Sequence, residues 1–265
     1  MAIVFKVKPW YKKSSGPTYQ GIWVPKQWYG VTTPSGDYIW TDGTDIYYSI
    51  SSTQRVLNKA ASRWSAKTWS GLTNFNGNNV WTDGTDIYYS SGSSQGVLDK
   101  STSTWTAKTW SGLTSFNGEY VWTDGTDIYY SKGANTNQYV LDKATSTWSK
   151  KSWSQAFSLK GNQIWTDGTD IYCSNDTAQY VLNKSTSTWT AKTWSGLTSF
   201  NGEYVWTDGT DIYYSYATDQ YVLDKSTSTW TAKTWQGLIG FYGSYIWKDG
   251  DHIYYSSDTN QYELT

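Results

Sequence analysis

Pairs of aspartates are the residues of this chain whose type and spacing could do chemistry. Each pair stands in the phrase Trp-Thr-Asp-Gly-Thr-Asp-Ile-Tyr-Tyr-Ser or an altered copy of it, and the first members are Asp42, Asp83, Asp124, Asp167, Asp208 and Asp249. The second members are Asp45, Asp86, Asp127, Asp170 and Asp211, and in the last copy Asp251 stands one position early. A ring of these carboxylates could bind cations. The alternative is turn chemistry, because Asp opens hairpins and accepts hydrogen bonds from nearby backbone amides.

Calcium usually needs about six to eight convergent oxygen atoms, and no loop of the chain has ligands at that spacing. The sequence therefore favours turn chemistry for the aspartates, and it predicts no metal site and no cofactor. Asp-Gly-Thr-Asp also lacks the lysine and the helix of a phosphate-binding loop.

Other catalytic chemistry finds little support. His252 is the only histidine, and it replaces the second aspartate in the sixth copy of the phrase. A Ser-His-Asp triad would have to depend on this residue, and sites with several histidine ligands are excluded. The single cysteine, Cys173, can form no internal disulfide, and its place inside a predicted strand favours burial over reactivity. We predict no catalytic residues and no enzyme activity.

The elements that carry these residues are tandem repeats. The six copies of the phrase begin at Trp40, Trp81, Trp122, Trp165, Trp206 and Trp247, so they are 41 or 43 residues apart. A fixed period of this size indicates a repeat architecture. Aromatic residues make up 18% of the chain, and the abundance of Thr, Ser, Tyr and Trp favours β-structure. Most of these aromatic side chains are expected in the core, with their polar atoms paired.

One repeat contains four short strands. In residues 119–153, the predicted strands are 119–124, 127–131, 138–142 and 148–153, and Asp124-Gly125 is a strong hairpin signal between the first two. Four strands in about 40 residues are typical of a β-propeller blade. The blades are predicted at 37–69, 78–110, 119–153, 161–194, 202–235, and 244–265 together with 22–28.

The two ends of the chain support a closed ring. The last repeat stops after its third strand, whereas residues 22–28 match the pattern of a fourth strand. We therefore predict an all-β, six-bladed propeller of four antiparallel strands per blade, in which an N-terminal strand completes the last blade. Such closure also removes exposed sheet edges. Residues 22–265 form the propeller, and residues 1–21 form an N-terminal extension.

Composition excludes several partners. The formal net charge is −1 and arginine occurs only at Arg55 and Arg63, so no nucleic-acid partner is predicted. No apolar run reaches the length of a membrane span, so no membrane insertion is predicted. The N-terminus lacks the apolar stretch and cleavage site of a signal peptide. We expect synthesis in a cytoplasm, which still allows the protein to reach the outside of a cell as part of a virion.

A segment of each repeat resembles the kelch motif. Residues 128–133 followed by Tyr-Val-Leu-Asp-Lys-Ala-Thr-Ser-Thr-Trp at 139–148 are similar to that motif, and related segments are 57–64, 98–105, 182–189 and 223–230. The chain lacks the glycine pair of kelch repeats. The resemblance covers residues 22–265 and implies that strand 120–124 lines the central channel and that strand 148–153 is outermost.

This order assigns the loops to two faces. The constant face carries the Asp-Gly hairpins and the turns that begin with Lys59, Lys100, Lys143, Lys184 and Lys225, whose charges could balance the aspartates. The variable face carries the loops before the first strands and the hairpins between the second and third strands. These hairpins differ between copies, at 50–53, 91–94, 132–137, 175–178, 216–219 and 257–260. By contrast, residues 101–131 and 185–215 are identical.

Variation confined to one face is compatible with selection for binding and equally with the tolerance of exposed loops. Tyrosine with Asn, Asp and Gln neighbours suits a sugar-binding or protein-binding surface, because its ring adds apolar area at little entropic cost. The predicted ligand-binding residues are Tyr139, Tyr180, Tyr216, Tyr221, Tyr262, Asn135, Asn137, Asn175, Asp176, Asp219, Asp258 and Asn260. Recurring glutamines at Gln54, Gln95, Gln138, Gln179, Gln220 and Gln261 are expected to satisfy backbone groups instead.

The N-terminal extension is expected to add a strand or to dock on an assembly partner. Residues 6–13 and 21–29 resemble Trp/Lys-rich segments of phage structural and tail-associated proteins. We predict a non-catalytic binding or assembly module with a glycan or protein ligand on the variable face, specifically a phage virion component that recognises a host surface. The alternatives are an intracellular bacterial protein-interaction scaffold and a carbohydrate-binding lectin.

Overall fold

The chain forms a closed ring of six β-sheets. A computed structural model describes residues 19–133, 135–154 and 157–265; most of the predicted N-terminal extension, residues 1–18, lies outside this range. Each sheet has four antiparallel strands in sequential order, and one blade carries an additional short strand, Leu159–Lys160, against its second strand. The prediction of a six-bladed all-β propeller is confirmed.

The strands recur at equivalent positions in every blade. The first strands are Ile39–Thr41, Val80–Thr82, Val121–Thr123, Ile164–Thr166, Val205–Thr207 and Ile246–Asp249. The second strands are Ile46–Ile50, Ile87–Ser91, Ile128–Gly133, Ile171–Asn175, Ile212–Tyr216 and His252–Ser257. The third strands are Thr53–Asn58, Ser94–Asp99, Gln138–Asp142, Ala178–Asn183, Asp219–Asp224 and Asn260–Leu264. The fourth strands are Arg63–Ala66, Thr104–Ala107, Thr147–Lys150, Thr188–Ala191, Thr229–Ala232 and Trp23–Pro25. We number the blades 1 to 6 in this order.

Ring closure is observed as predicted. Trp23–Pro25 pairs antiparallel with Tyr262–Leu264 and so becomes the fourth strand of blade 6. A backbone hydrogen bond of 2.9 Å from Thr265 N to Ile22 O extends the pairing beyond the strands. Both ends of the described chain are thereby joined in one sheet.

Aromatic side chains fill the spaces between blades. At the boundary of blades 3 and 4, Trp122 stacks on Tyr129 at 4.5 Å and contacts Trp153 at 5.8 Å and Trp189 at 6.0 Å between ring centroids. The same arrangement recurs around the ring. Large rings contribute much apolar area and prefer tilted contacts, so a sequence poor in Leu can still build a full core.

The polar atoms of these tryptophans are only partly paired, contrary to expectation. The indole of Trp122 donates to Ser131 Oγ at 2.9 Å, and the equivalent bond is present in all six blades. The indole N–H groups of the tryptophans in and after the fourth strands have no acceptor among the described residues. Neighbouring rings surround these groups, where aromatic faces are weak acceptors.

Short 3-10 turns precede the first strands and were not anticipated. They are Gly36–Tyr38, Gly77–Asn79, Gly118–Tyr120, Gly161–Gln163, Gly202–Tyr204 and Gly243–Tyr245, and a further one, Asn135–Asn137, lies in the longest hairpin. Neighbouring turns contact one another around the whole ring. The first strands therefore lie innermost, as the kelch resemblance implied, and they are shorter than the sequence suggested because the turns replace their beginnings.

Candidate functional site

The aspartates of the constant face shape its hairpins. Asp124 Oδ1 accepts hydrogen bonds from the backbone N–H groups of Thr126 at 2.9 Å and Asp127 at 2.8 Å. The hydroxyl of Tyr129 donates to Asp124 Oδ2 and Asp127 Oδ2, both at 3.3 Å. Burial, followed by the charges of these two carboxylates, raises the pKa of Tyr129 and keeps it a donor. The same pattern recurs in blades 1, 2, 4 and 5, so turn chemistry occupies these carboxylates.

Lysines of the constant face join neighbouring blades. Lys225 Nζ donates to the backbone carbonyl of Asp167 in the preceding blade at 2.7 Å. Lys100, Lys143 and Lys184 make the equivalent bond to a carbonyl oxygen. We expected these lysines to balance carboxylates, and Lys59 does pair with that of Asp249, whereas the bonds of Lys100, Lys143 and Lys184 go to backbone carbonyls. The carboxylates of the other blades are already occupied by their own turns.

Blade 6 departs from the repeat where the ring closes. It has no turn between its third and fourth strands, because these come from opposite ends of the chain. Lys248, in its altered hairpin, donates instead to the carbonyl of Asp208 at 3.3 Å. Within the described chain, Lys248 thus replaces the missing turn lysine.

A charged cluster accompanies this closure. Glu263 Oε2 accepts from Lys26 Nζ at 2.9 Å, and Glu263 Oε1 lies 2.8 Å from His252 Nδ1. Burial alone raises the pKa of Glu263, but the hydrogen bonds and charges of Lys26 and His252 outweigh it and hold the pKa below its usual value. The only histidine of the chain therefore contacts the closing strands. Cys173 is buried as expected, and burial raises the pKa of its thiol to about 12.

Four predicted ligand residues lie at the boundaries between blades. Tyr139, Tyr180, Tyr221 and Tyr262 are half-buried and pack against the aromatic core. Tyr180 stacks on Phe157 with ring centroids 4.0 Å apart. Much of each ring is therefore engaged in packing, and a ligand role for these tyrosines stays a prediction.

The other predicted residues lie in the hairpins of the variable face. Asn137, Asp176, Tyr216, Asp219, Asp258 and Asn260 are exposed there, each hairpin on its own blade. Asn175 is half-buried and accepts a hydrogen bond from Gln163 Nε2 at 3.3 Å. The side chain of Asn135 lies outside the described residues. The structure brings these residues to one face without gathering them in one pocket.

The recurring glutamines hold the variable face together, as expected. Gln220 Nε2 donates to the carbonyl of Ala217 in its own hairpin at 2.6 Å and to that of Phe241 in the next blade at 3.3 Å. Equivalent bonds join other blades. These glutamines fix each hairpin against the neighbouring loop.

A cluster of four tyrosines on the variable face escaped sequence reasoning, apart from Tyr216. We call Tyr204, Tyr216, Tyr242 and Tyr245 the tyrosine cluster. Ring centroids are 4.9 Å apart for Tyr204 and Tyr216, 5.3 Å for Tyr216 and Tyr242, and 5.9 Å for Tyr242 and Tyr245. Tyr216 is 43% exposed. A signal was present, because Tyr242 stands where three other copies have Asn76, Asn117 and Asn201.

The described residues lack two features that would suggest other functions. No three His, Cys, Asp or Glu side chains among them are grouped so that they could hold a metal ion. In the same part of the chain, no helix has the length and apolar character needed to cross a membrane.

Known proteins resemble this chain in fold. No family model and no curated protein matches it, so the kelch likeness remains a resemblance. The extracellular domain of a proposed hybrid two-component system of B. thetaiotaomicron is similar at a TM-score of 0.51 and 13% identity, over 94% of this chain and 36% of that chain. The extracellular domain of a proposed one-component system from the same organism gives 0.51 and 13%, over 84% and 31%. The chain spans about a third of these structures, and the similarity shows the β-propeller fold alone.

Proposed function

We propose that this propeller is a non-catalytic binding module that recognises carbohydrate through its variable face. One contrast carries the proposal. The constant face uses its polar side chains in the same internal hydrogen bonds from blade to blade, whereas the variable face presents different exposed side chains on each blade. Aromatic, acidic and amide groups such as Tyr216, Asp219 and Asn260 suit sugar hydroxyls and the apolar faces of sugar rings.

The similar propellers support a binding role in a general way. They are extracellular domains of proposed one- and two-component systems of B. thetaiotaomicron. A position on a phage particle is the more specific form of our proposal, and co-purification with particles is its test. An intracellular scaffold would instead capture cytoplasmic proteins and show no affinity for glycans.

The experiment is a glycan array with three proteins. The first is the unmodified protein, and the second carries Asn137→Ala, Asp219→Ala and Asn260→Ala on the variable face. The matched control carries Thr85→Ala, Thr126→Ala and Thr210→Ala at exposed hairpin tips of the constant face. We expect the variable-face variant to lose about tenfold or more in affinity, which is about 1.4 kcal/mol, while the control binds like the unmodified protein.

Two results would overturn the proposal. A blank array for the unmodified protein would exclude recognition of the arrayed carbohydrates. Equal losses in both variants would show that the variable face has no special part in binding. Melting curves of all three proteins distinguish a lost contact from a lost fold.

A further inference from the structure

The tyrosine cluster is the strongest departure from six-fold repetition on the variable face. Tyr216 ends the second strand of blade 5, and Tyr242 lies in the loop that leads into the first strand of blade 6. Their rings meet nearly at right angles, at 85°. Ile239, in the same loop as Tyr242, is 78% exposed. Exposed aromatic and apolar side chains that are grouped on one face are typical of interaction sites.

Blade 3 provides an internal comparison. Residues 101–131 and 185–215 are identical, so blades 3 and 5 present the same first and second strands. Directly after this identity, Lys132 stands where blade 5 has Tyr216. In the following blade, Lys160 stands where blade 6 has Tyr242, and Lys132 and Lys160 are paired in register. The equivalent backbone positions thus carry two lysines at the boundary of blades 3 and 4 and two tyrosines at the boundary of blades 5 and 6.

Three carboxylates act on tyrosines of the cluster. Burial and then the charge of Glu203 raise the pKa of Tyr204 to about 12. Burial, followed by the charges of Asp37 and Asp258, also raises the pKa of Tyr245. Among the described residues, no lysine or arginine contributes to either shift. The charged groups that act on the cluster tyrosines are thus Glu203, Asp37 and Asp258, in contrast to the lysine pair of blades 3 and 4.

We propose that the tyrosine cluster binds the positively charged amino group of an amino sugar. This inference rests on the proposed carbohydrate-binding function and names the class of sugar. A cation is attracted to the face of a tyrosine ring, and nearby carboxylates add to this attraction. A pyranose ring can at the same time lay its C–H groups on the exposed surface of Tyr216. A neutral sugar would gain only this second contact.

The test compares two oligosaccharides that differ only at nitrogen. Titration calorimetry at about pH 6 measures the affinity for a glucosamine tetramer, whose amino groups are charged, and for an N-acetylglucosamine tetramer, which is neutral. We expect the charged tetramer to bind roughly fivefold more tightly or better. Tyr216→Lys, which reproduces the chemistry of blade 3, should abolish this preference, and Tyr216→Ala should reduce it. Lys132→Ala, at the equivalent position of blade 3, is the matched control and should leave the preference unchanged.

The outcomes separate this inference from the proposed function. Binding of neutral glycans with no preference for the charged tetramer overturns the inference and leaves the carbohydrate-binding function standing. A preference that survives Tyr216→Lys places the amine elsewhere and likewise overturns the inference. No binding of any arrayed or titrated sugar overturns both. Tyr216 is exposed, so its variants are expected to fold, and a melting curve checks this.

Discussion

At the scale of single residues, close packing at the centre of the ring requires glycine. Gly118 begins a 3-10 turn and lies against the preceding blade, where an added Cβ would be 2.1 Å from the carbonyl oxygen of Asn79. Equivalent glycines make the same approach in the other five blades. The obstacle is backbone, which cannot rotate away as a side chain can. These glycines therefore allow the backbones of neighbouring blades to lie close together at the centre of the ring.

The first prediction compares two glycines. Gly118→Ala should destabilise the protein by about 1–3 kcal/mol or more, because the backbone of two blades must move apart. Gly96→Ala should be neutral or stabilise by about 0.4–1 kcal/mol, because an added Cβ there meets only ordinary contacts at 3.5 Å and the unfolded chain loses freedom. Denaturant unfolding of both variants measures the difference. Equal effects would show that the inner ring is less tightly packed than we describe.

At the scale of elements, the closing blade explains several departures from the repeat. Glu263 occupies the position of a valine in the other third strands, such as Val140, and it contacts Lys26 of the N-terminal strand. Lys248 supplies the bond that a turn lysine makes elsewhere. Both changes lie in blade 6, which the N-terminal strand completes. The altered sixth phrase thus contributes Lys248 and His252 to contacts of the closing blade.

The second prediction concerns pH and this closing contact. The pKa of Glu263 is lowered from its usual value of 4.5, so its carboxylate stabilises the fold above that value and loses the effect as pH falls through the lower, folded-state pKa. Glu263→Gln should therefore cost about 0.5–1 kcal/mol at pH 7, since the pair is partly exposed. This difference from the unmodified protein should vanish at low pH. Melting curves at neutral and acid pH measure it.

The partner residue provides the control for this prediction. In a Lys26→Met background, Glu263→Gln should cost less than in the unmodified protein, because much of the interaction is already lost. A full cost in both backgrounds would mean that Lys26 does not stabilise the carboxylate. A difference that persists in full at a pH low enough to protonate Glu263 would contradict the assigned direction of the pKa shift.

The sequence was sufficient to predict the blades and their closure, because both depend on local patterns. The alternation of apolar and polar residues, the Asp-Gly hairpin signals and the incomplete last repeat can each be read from consecutive residues of the sequence. The tyrosine cluster was largely missed because it depends on which loops meet across a blade boundary. Tyr216 and Tyr242 belong to different repeats, and their rings meet only because the closed ring places blades 5 and 6 side by side. For the same reason, the packing of Tyr139 and Tyr180 between blades was not foreseen.

At the scale of the whole molecule, the two faces of the ring are built differently. On the constant face, bonds such as that from Lys225 to Asp167 connect neighbouring blades, and aspartates such as Asp124 bond to the backbone of their own turns. On the variable face, glutamines fix the backbone of the hairpins, while the side chains at their tips are exposed and differ. A rigid scaffold that displays variable side chains is well suited to recognition.

The most direct measurement blocks one face at a time. Cys173 is buried, so a new surface cysteine can be labelled selectively with a bulky maleimide. Thr218→Cys is on the variable face of blade 5, and Thr210→Cys is on the constant face of the same blade; both positions are exposed. We predict that the label at position 218 abolishes glycan binding and that the label at position 210 leaves it unchanged. Binding that survives the label at 218 but is lost with the label at 210 would contradict our assignment of the two faces.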